Sequence, residues 1–242
     1  MRRIVMMILR NIIWIPYYVI QMFLYAREKD HTLERKKYAF LQDIVRHANR
    51  GGNVELICKG AENIPKEEGY IFYPNHQGMY DMLAIIETTP SPVAVVMKKE
   101  AADIPFLKQV RLITKSLAMD REDVRQSMKI ILQVAEEVAA GRNYVIFPEG
   151  TRSRNGNVMG EFKGGSFKAA TKAKCPIIPV MLYNSFVPFD SHSLKQIQVY
   201  IHYLQPIPYE EYKGMKTTEI AEMVKERIQM EMESLEKEIE QV

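Results

Sequence analysis

From Val54 onward the sequence alternates short apolar runs with amphipathic stretches, and this alternation restricts the fold more than any other feature. Runs of strand length occur at 54–58, 70–74, 93–97, 116–119, 144–148, 176–182 and 197–204, with helical patterns near 79–87, 123–140 and 162–173. Strands separated by helices do not pair as hairpins; they line up in one sheet whose faces the helices cover. The expected fold class is therefore α/β, a mixed, largely parallel sheet of about seven strands flanked by helices. The chain of 242 residues has room for one such domain with helical additions, and too little for two catalytic domains. Asp123 caps the middle helical pattern and Gly141 stops it, which marks that helix as packing.

Two of the runs end alike, in a proline followed by polar residues, where a strand gives way to a loop or helix and chemistry commonly resides. The first continues from Pro74 into Asn75-His76-Gln77-Gly78-Met79-Tyr80-Asp81. His76 is a candidate base, and if the turn bends as Gly78 permits, Asp81 accepts from one ring nitrogen and leaves the other free for a proton. A histidine and an aspartate this close also suit a surface pair or a cap. The second run continues from Pro148 into Glu149-Gly150-Thr151-Arg152-Ser153-Arg154. A guanidinium grips phosphate through two parallel charge-assisted bonds, so Arg152 suits a phosphorylated substrate; the plainer alternative is a salt bridge to Glu149. In the following 162–168 stretch, Gly164 and Gly165 allow a backbone to approach a ligand, and Lys163 and Lys168 add positive potential; an ordinary glycine-rich helix start fits equally.

Residues 4–26 are apolar apart from Arg10, Asn11 and Gln21, and are interrupted by Pro16. Arg2 and Arg3 precede them as in a signal peptide, yet no small-residue cleavage site follows. Arg10 and Asn11 would be costly in hydrocarbon, whereas Trp14, Tyr17, Tyr18 and Tyr25 favour an interface, so a helix lying in one leaflet is expected rather than a crossing. Residues 32–50 form an amphipathic pattern with a basic polar face, ended by Gly51-Gly52, giving an N-terminal membrane-associated helical pair; docking of both on the protein's own core is the alternative. The expected divisions are 1–50 for this pair, 51–216 for the α/β domain and 217–242 for an amphipathic helix and acidic tail. Residues 209–242 carry ten Glu against five Lys or Arg, so the net charge of +3 comes from a basic body. That body suits anionic lipid and acidic substrates, and without a basic recognition helix nucleic acid is not an expected partner. Cys58 and Cys175 are far apart, which argues against zinc and a disulfide framework and for a reducing compartment. There is no Gly-x-Ser-x-Gly elbow, no Walker loop and no dinucleotide fingerprint.

Asn75-His76 with Asp81, followed by Phe147-Pro148-Glu149-Gly150-Thr151-Arg152-Ser153, resembles the glycerolipid acyltransferases, above all the 1-acylglycerol-3-phosphate acyltransferases that make phosphatidic acid. Met119-Asp120-Arg121 is similar to the family's middle block, and Pro176-Ile177-Ile178-Pro179-Val180 to its late proline-flanked strand. The middle block departs at Lys108 and Lys115, where glycines are usual. The resemblance covers roughly residues 54–208. It implies acyl transfer from a thioester of coenzyme A or of an acyl carrier protein to the free hydroxyl of lysophosphatidic acid, at the cytoplasmic face of the cell membrane. His76 and Asp81 would be catalytic; Gly150, Thr151, Arg152, Arg121 and Lys98 would bind substrate, with Glu149 orienting Arg152 or the loop. No metal or cofactor is implied. Glycerol 3-phosphate or another lysolipid as acceptor, a noncatalytic lipid-binding protein, and a metal hydrolase using His76, Asp81 and Glu149 are the alternatives.

Overall fold

The structure is a computed structural model that describes residues 2–241; Met1 and Val242 lie outside the described residues. Its strands are β1 (Val54–Lys59), β2 (Ile71–Pro74), β3 (Val93–Lys98), β4 (Leu117–Met119), β5 (Asn143–Val145), β6 (Ile177–Tyr183) and β7 (Ile197–Tyr203), forming one sheet in the order β1-β7-β6-β2-β5-β3-β4. Neighbours from β6 to β4 run parallel, β7 is antiparallel to β6, and β1 is parallel to β7. The mixed, largely parallel seven-stranded sheet is thus as the alternation of apolar runs and helices requires.

The helices are α1 (Arg2–Arg10), α2 (Ile15–Arg27), α3 (Glu34–Gly52), α4 (Asp81–Thr88), α5 (Leu107–Thr114), α6 (Val124–Ala139), α7 (Lys168–Ala173), α8 (Val187–Asp190), α9 (Tyr209–Tyr212) and α10 (Thr217–Glu240). Side chains of a strand alternate between faces, so the two halves of the core divide cleanly along β2. Phe72 packs with Leu41 and Val45 of α3 and Ile85 of α4, whereas Ile71 and Tyr73 pack with Val134 of α6, Ala170 of α7 and Val224 of α10. All four residues of β2 are buried, as expected of a central strand covered on both sides.

The sequence expectation needs correction at several points. The strand expected at 144–148 is the shorter β5, Asn143–Val145, followed by one more backbone bond, from Ile146 N to the Phe72 carbonyl at 3.0 Å, before the chain turns toward Glu149. The helix expected over 162–173 is a 3-10 turn at Gly164–Phe167 followed by the six residues of α7. Gly164 brings its backbone to α10 rather than to a ligand: a Cβ there would lie 3.0 Å from the Thr218 nitrogen. Gly51 and Gly52 do not stop α3, whose left-handed cap is Asn53 at φ 52°. They are its last turn, and α1 lies against them so closely that a Cβ on Gly52 would meet Met7 Cε at 2.3 Å. Lys115 ends α5 at φ 54°, a conformation that costs an L residue about 1 kcal/mol.

The first apolar stretch is two helices, bent by 96°. Pro16 opens α2 instead of breaking a longer helix, since a proline in the first turn forfeits no helical bond. Asn11 sits in the break and its side chain donates to the carbonyls of Met7 (2.8 Å) and His47 (3.0 Å). Arg10 donates to Asn53 Oδ1 at 2.8 Å. Arg3 is fully buried, with its guanidinium on the carbonyls of Gly52, Ser193 (2.6 Å) and Lys195 (2.9 Å). The polar residues that would burden a bilayer crossing are therefore spent on α3, and the opposite face exposes Ile8, Leu9, Ile12, Ile13, Trp14 and Tyr17. No single helix among the described residues is long and apolar enough to cross a membrane. By contrast α3 buries Tyr38, Phe40, Leu41 and Val45 in the main core, and α10 buries Ile220, Val224, Ile228, Met232 and Leu235 along most of its length.

Candidate active site

Four parallel strands, β2, β5, β3 and β4, deliver His76, Glu149, Lys98 and Arg121 to one edge, the carboxyl edge, where ligands of open α/β sheets bind. Pro74 ends β2, and Asn75 then completes the ladder with its side chain, exchanging bonds of 2.9 and 2.7 Å with the backbone of Leu182 in β6. This fixes the chain just before His76.

His76 Nδ1 lies 2.7 Å from Asp81 Oδ2. Asp81 opens α4, is fully buried, and its carboxylate also receives the backbone N–H groups of Gln77 (2.7 Å) and Gly78 (3.0 Å) and the hydroxyl of Ser185 (2.6 Å). Every neighbour of that carboxylate is a donor, which assigns the proton of the His76–Asp81 bond to Nδ1 and leaves Nε2 with a lone pair. Among the described residues Nε2 has no hydrogen-bond partner. The imidazole stacks on Phe147, ring centroids 4.1 Å apart, so its plane is held as well as its edge.

The second loop holds the first. Glu149 is buried, and its two oxygens accept from the backbone N–H of His76 (2.7 Å) and of Gly160 (2.8 Å); Ser153 N donates to the His76 carbonyl at 2.9 Å. Burial raises the Glu149 carboxyl above its ordinary pKa, and the two amides, which favour the ionised form, offset that only in part. Glu149 therefore orients the loop rather than Arg152, and the simple salt bridge between the two is not among the contacts of the described residues. It braces the backbone of the base. Its role also separates it from the geometry of a metal hydrolase, in which His76, Asp81 and Glu149 would converge on one ion; here both carboxylates face protein donors.

Gly150 takes φ 70° and lets Lys163 lie across it; a Cβ would sit 3.1 Å from the Lys163 ammonium. Arg121 donates to the Gly150 carbonyl, so part of this expected substrate ligand is used to tie β4 to the loop. Thr151 is exposed, and Arg152, partly exposed, makes no side-chain hydrogen bond or ion pair among the described residues. Lys98 stands at the same edge with its ammonium 3.1 Å from Glu100, exposed and turned to a surface partner. Three residues absent from the sequence expectation complete the site: Gln77, Asn157 and Ser185. Ser185 follows β6, which is parallel to β2, so the end of that run marked this edge too.

A histidine backed by a buried carboxylate, beside a loop that carries an unpaired guanidinium, defines a general-base site for an anionic substrate. Residues 55–183 match the acyltransferase family model, and the chain belongs to the acyltransferase family. A 1-acyl-sn-glycerol-3-phosphate acyltransferase of Salmonella typhimurium is 31% identical over 187 residues, 77% of this chain and 76% of that protein. Its counterpart in Borreliella burgdorferi is 29% identical over 184 residues, 75% and 73% of the two chains. The crystal structure of the 1-acyl-sn-glycerophosphate (LPA) acyltransferase PlsC from Thermotoga maritima shares the fold, with a TM-score of 0.75 at 21% identity over 97% of this chain and 95% of that one.

Proposed function

We infer that the protein is a lysophosphatidate acyltransferase, which transfers an acyl group from a thioester to the free hydroxyl of lysophosphatidic acid and so makes phosphatidic acid. The relatives bearing that name support the reading, and the observation that carries its mechanism is His76 Nε2, unengaged and backed by Asp81. An alcohol is a poor nucleophile at neutral pH. Nε2 takes its proton as the oxygen attacks the thioester carbonyl, and Asp81 stabilises the resulting imidazolium. The tetrahedral adduct then collapses with loss of the C–S bond, and the imidazolium returns the proton to the departing thiolate. No covalent enzyme intermediate and no cofactor beyond the thioester, of coenzyme A or of a carrier protein, is needed.

Arg152 holds the acceptor's phosphate in this reading; among the described residues no protein group engages its guanidinium, nor that of the exposed Arg154 two residues on. Arg152→Ala is expected to raise the KM for lysophosphatidate about ten- to a hundredfold, the worth of a charge-assisted bond, while the thioester KM moves less than about threefold. Steady-state kinetics with each substrate varied would check this; an unchanged acceptor KM would remove Arg152 from the site.

The same reading seats the exposed face of α1 and α2 in one leaflet, at the cytoplasmic face of the membrane where acyl thioesters and lysophosphatidate meet. Ile8→Asp with Ile13→Asp alters only exposed positions and should lower vesicle binding at least about tenfold in flotation with anionic phospholipid. Equal flotation of variant and parent would contradict the leaflet assignment.

A further inference from the structure

We propose that Ser185 is a positioning residue for the acyl-transfer base, acting through Asp81 as the third member of a line His76–Asp81–Ser185–Gln77. The proposal rests on the assignment of His76 as the base. Ser185 is fully buried; its hydroxyl has one proton and two acceptors in reach, Asp81 Oδ1 at 2.6 Å and Gln77 Oε1 at 2.9 Å. The nearer acceptor is a carboxylate, and the Gln77 oxygen is already served by the Ser185 backbone N–H at 2.9 Å, so the hydroxyl proton belongs to Asp81. Gln77 is in turn oriented from its other end: Nε2 donates to Asn157 Oδ1 (3.0 Å), which also receives Asn184 N (2.8 Å). This arrangement fixes the amide's direction without choice.

The consequence lies in the carboxylate's rotation. Asp81 Oδ2 accepts from His76, from Gln77 N at 2.7 Å and from Gly78 N at 3.1 Å, and Oδ1 is pinned by Ser185 and by Gly78 N at 3.0 Å. Without the hydroxyl, the carboxylate is anchored by the Gln77 and Gly78 N–H groups, about which it can tilt and loosen the bond from Nδ1 to Oδ2. The imidazole would then rock on the Phe147 ring, and Nε2 would lose its aim at the acceptor hydroxyl. Substrate binding, which uses other groups, would be untouched. Gln77 and Asn157 extend the line to the segment that follows Arg154, so the base and the loop carrying Arg152 share one buried polar frame.

The test is Ser185→Ala, assayed as the full chain in lipid micelles with acyl-coenzyme A and lysophosphatidate, alongside thermal unfolding. A fall in kcat of about ten- to a hundredfold, with both KM values within about twofold of the parent, is expected. Ser185→Thr, which keeps the hydroxyl, should restore most of the kcat. A folded Ala variant with kcat within about twofold of the parent overturns the proposal, as does a Thr variant that folds yet stays as slow as Ala. Should the Ala variant not fold, Ser185→Cys, of similar volume and a weaker donor, is read by the same criteria. Failure of the acyltransferase reading would look different: the parent protein itself would consume no thioester in the presence of lysophosphatidate.

Discussion

His76→Ala is expected to lower kcat by about a thousandfold or more while the fold persists, since a positioned general base contributes about 10²–10⁴ to such a step. The side chain contributes little to the core: it is 19% exposed, and its contacts are one bond to Asp81 and one stacked ring. The backbone groups that Glu149 and Ser153 engage remain in the Ala variant. Loss of turnover with an unchanged unfolding temperature is therefore the predicted pair of results. Near-normal turnover by the purified variant would refute the base assignment.

Glu149→Gln should be nearly as damaging for a different reason. Glu149 presents two acceptors to two buried N–H groups, and glutamine offers one acceptor and one donor, so His76 N or Gly160 N must face an N–H. A buried donor left unsatisfied costs about 1–3 kcal/mol, and the backbone carrying the base loses its brace. The expected result is a drop in unfolding temperature of roughly 2–10 °C together with a fall in kcat of about a hundredfold. The pH dependence adds a signature. Burial raises the Glu149 carboxyl above its ordinary value of 4.5, so the folded chain holds that proton more tightly than the unfolded chain does. Its contribution to stability is present below that ordinary value and is lost as pH climbs through the raised one. Unfolding temperatures of parent and variant, followed across that interval, should show this decline only in the parent. A variant as stable and active as the parent would mean that the loop is held by other bonds.

The sheet was legible in the sequence because its evidence is local: apolar runs of strand length, punctuated by proline and glycine, survive without knowledge of partners. The His76–Asp81 pair was legible for the same reason, as the turn joining them is contained in seven residues. What lies across the chain was not. Ser185 is 104 residues from Asp81, and nothing near it announces a carboxylate. Glu149 lies close in sequence to Arg152, and charge suggested a pairing, but two backbone amides from elsewhere claimed the carboxylate first. Gly51-Gly52 looked like a stop signal, since glycine ends helices often; at this place its missing side chain makes room for a crossing helix, which only the tertiary arrangement discloses.

Arg3 clamps α1 to the end of α3 and to the 193–195 segment, with no flexible tether between the apolar face and the catalytic sheet. If that face rests on lipid as proposed, an enzyme mounted in this way would stand on the membrane as a stool stands on a floor. The height of His76 above the lipid would be set by the protein's own dimensions, and the acceptor, not the enzyme, would have to rise to meet it.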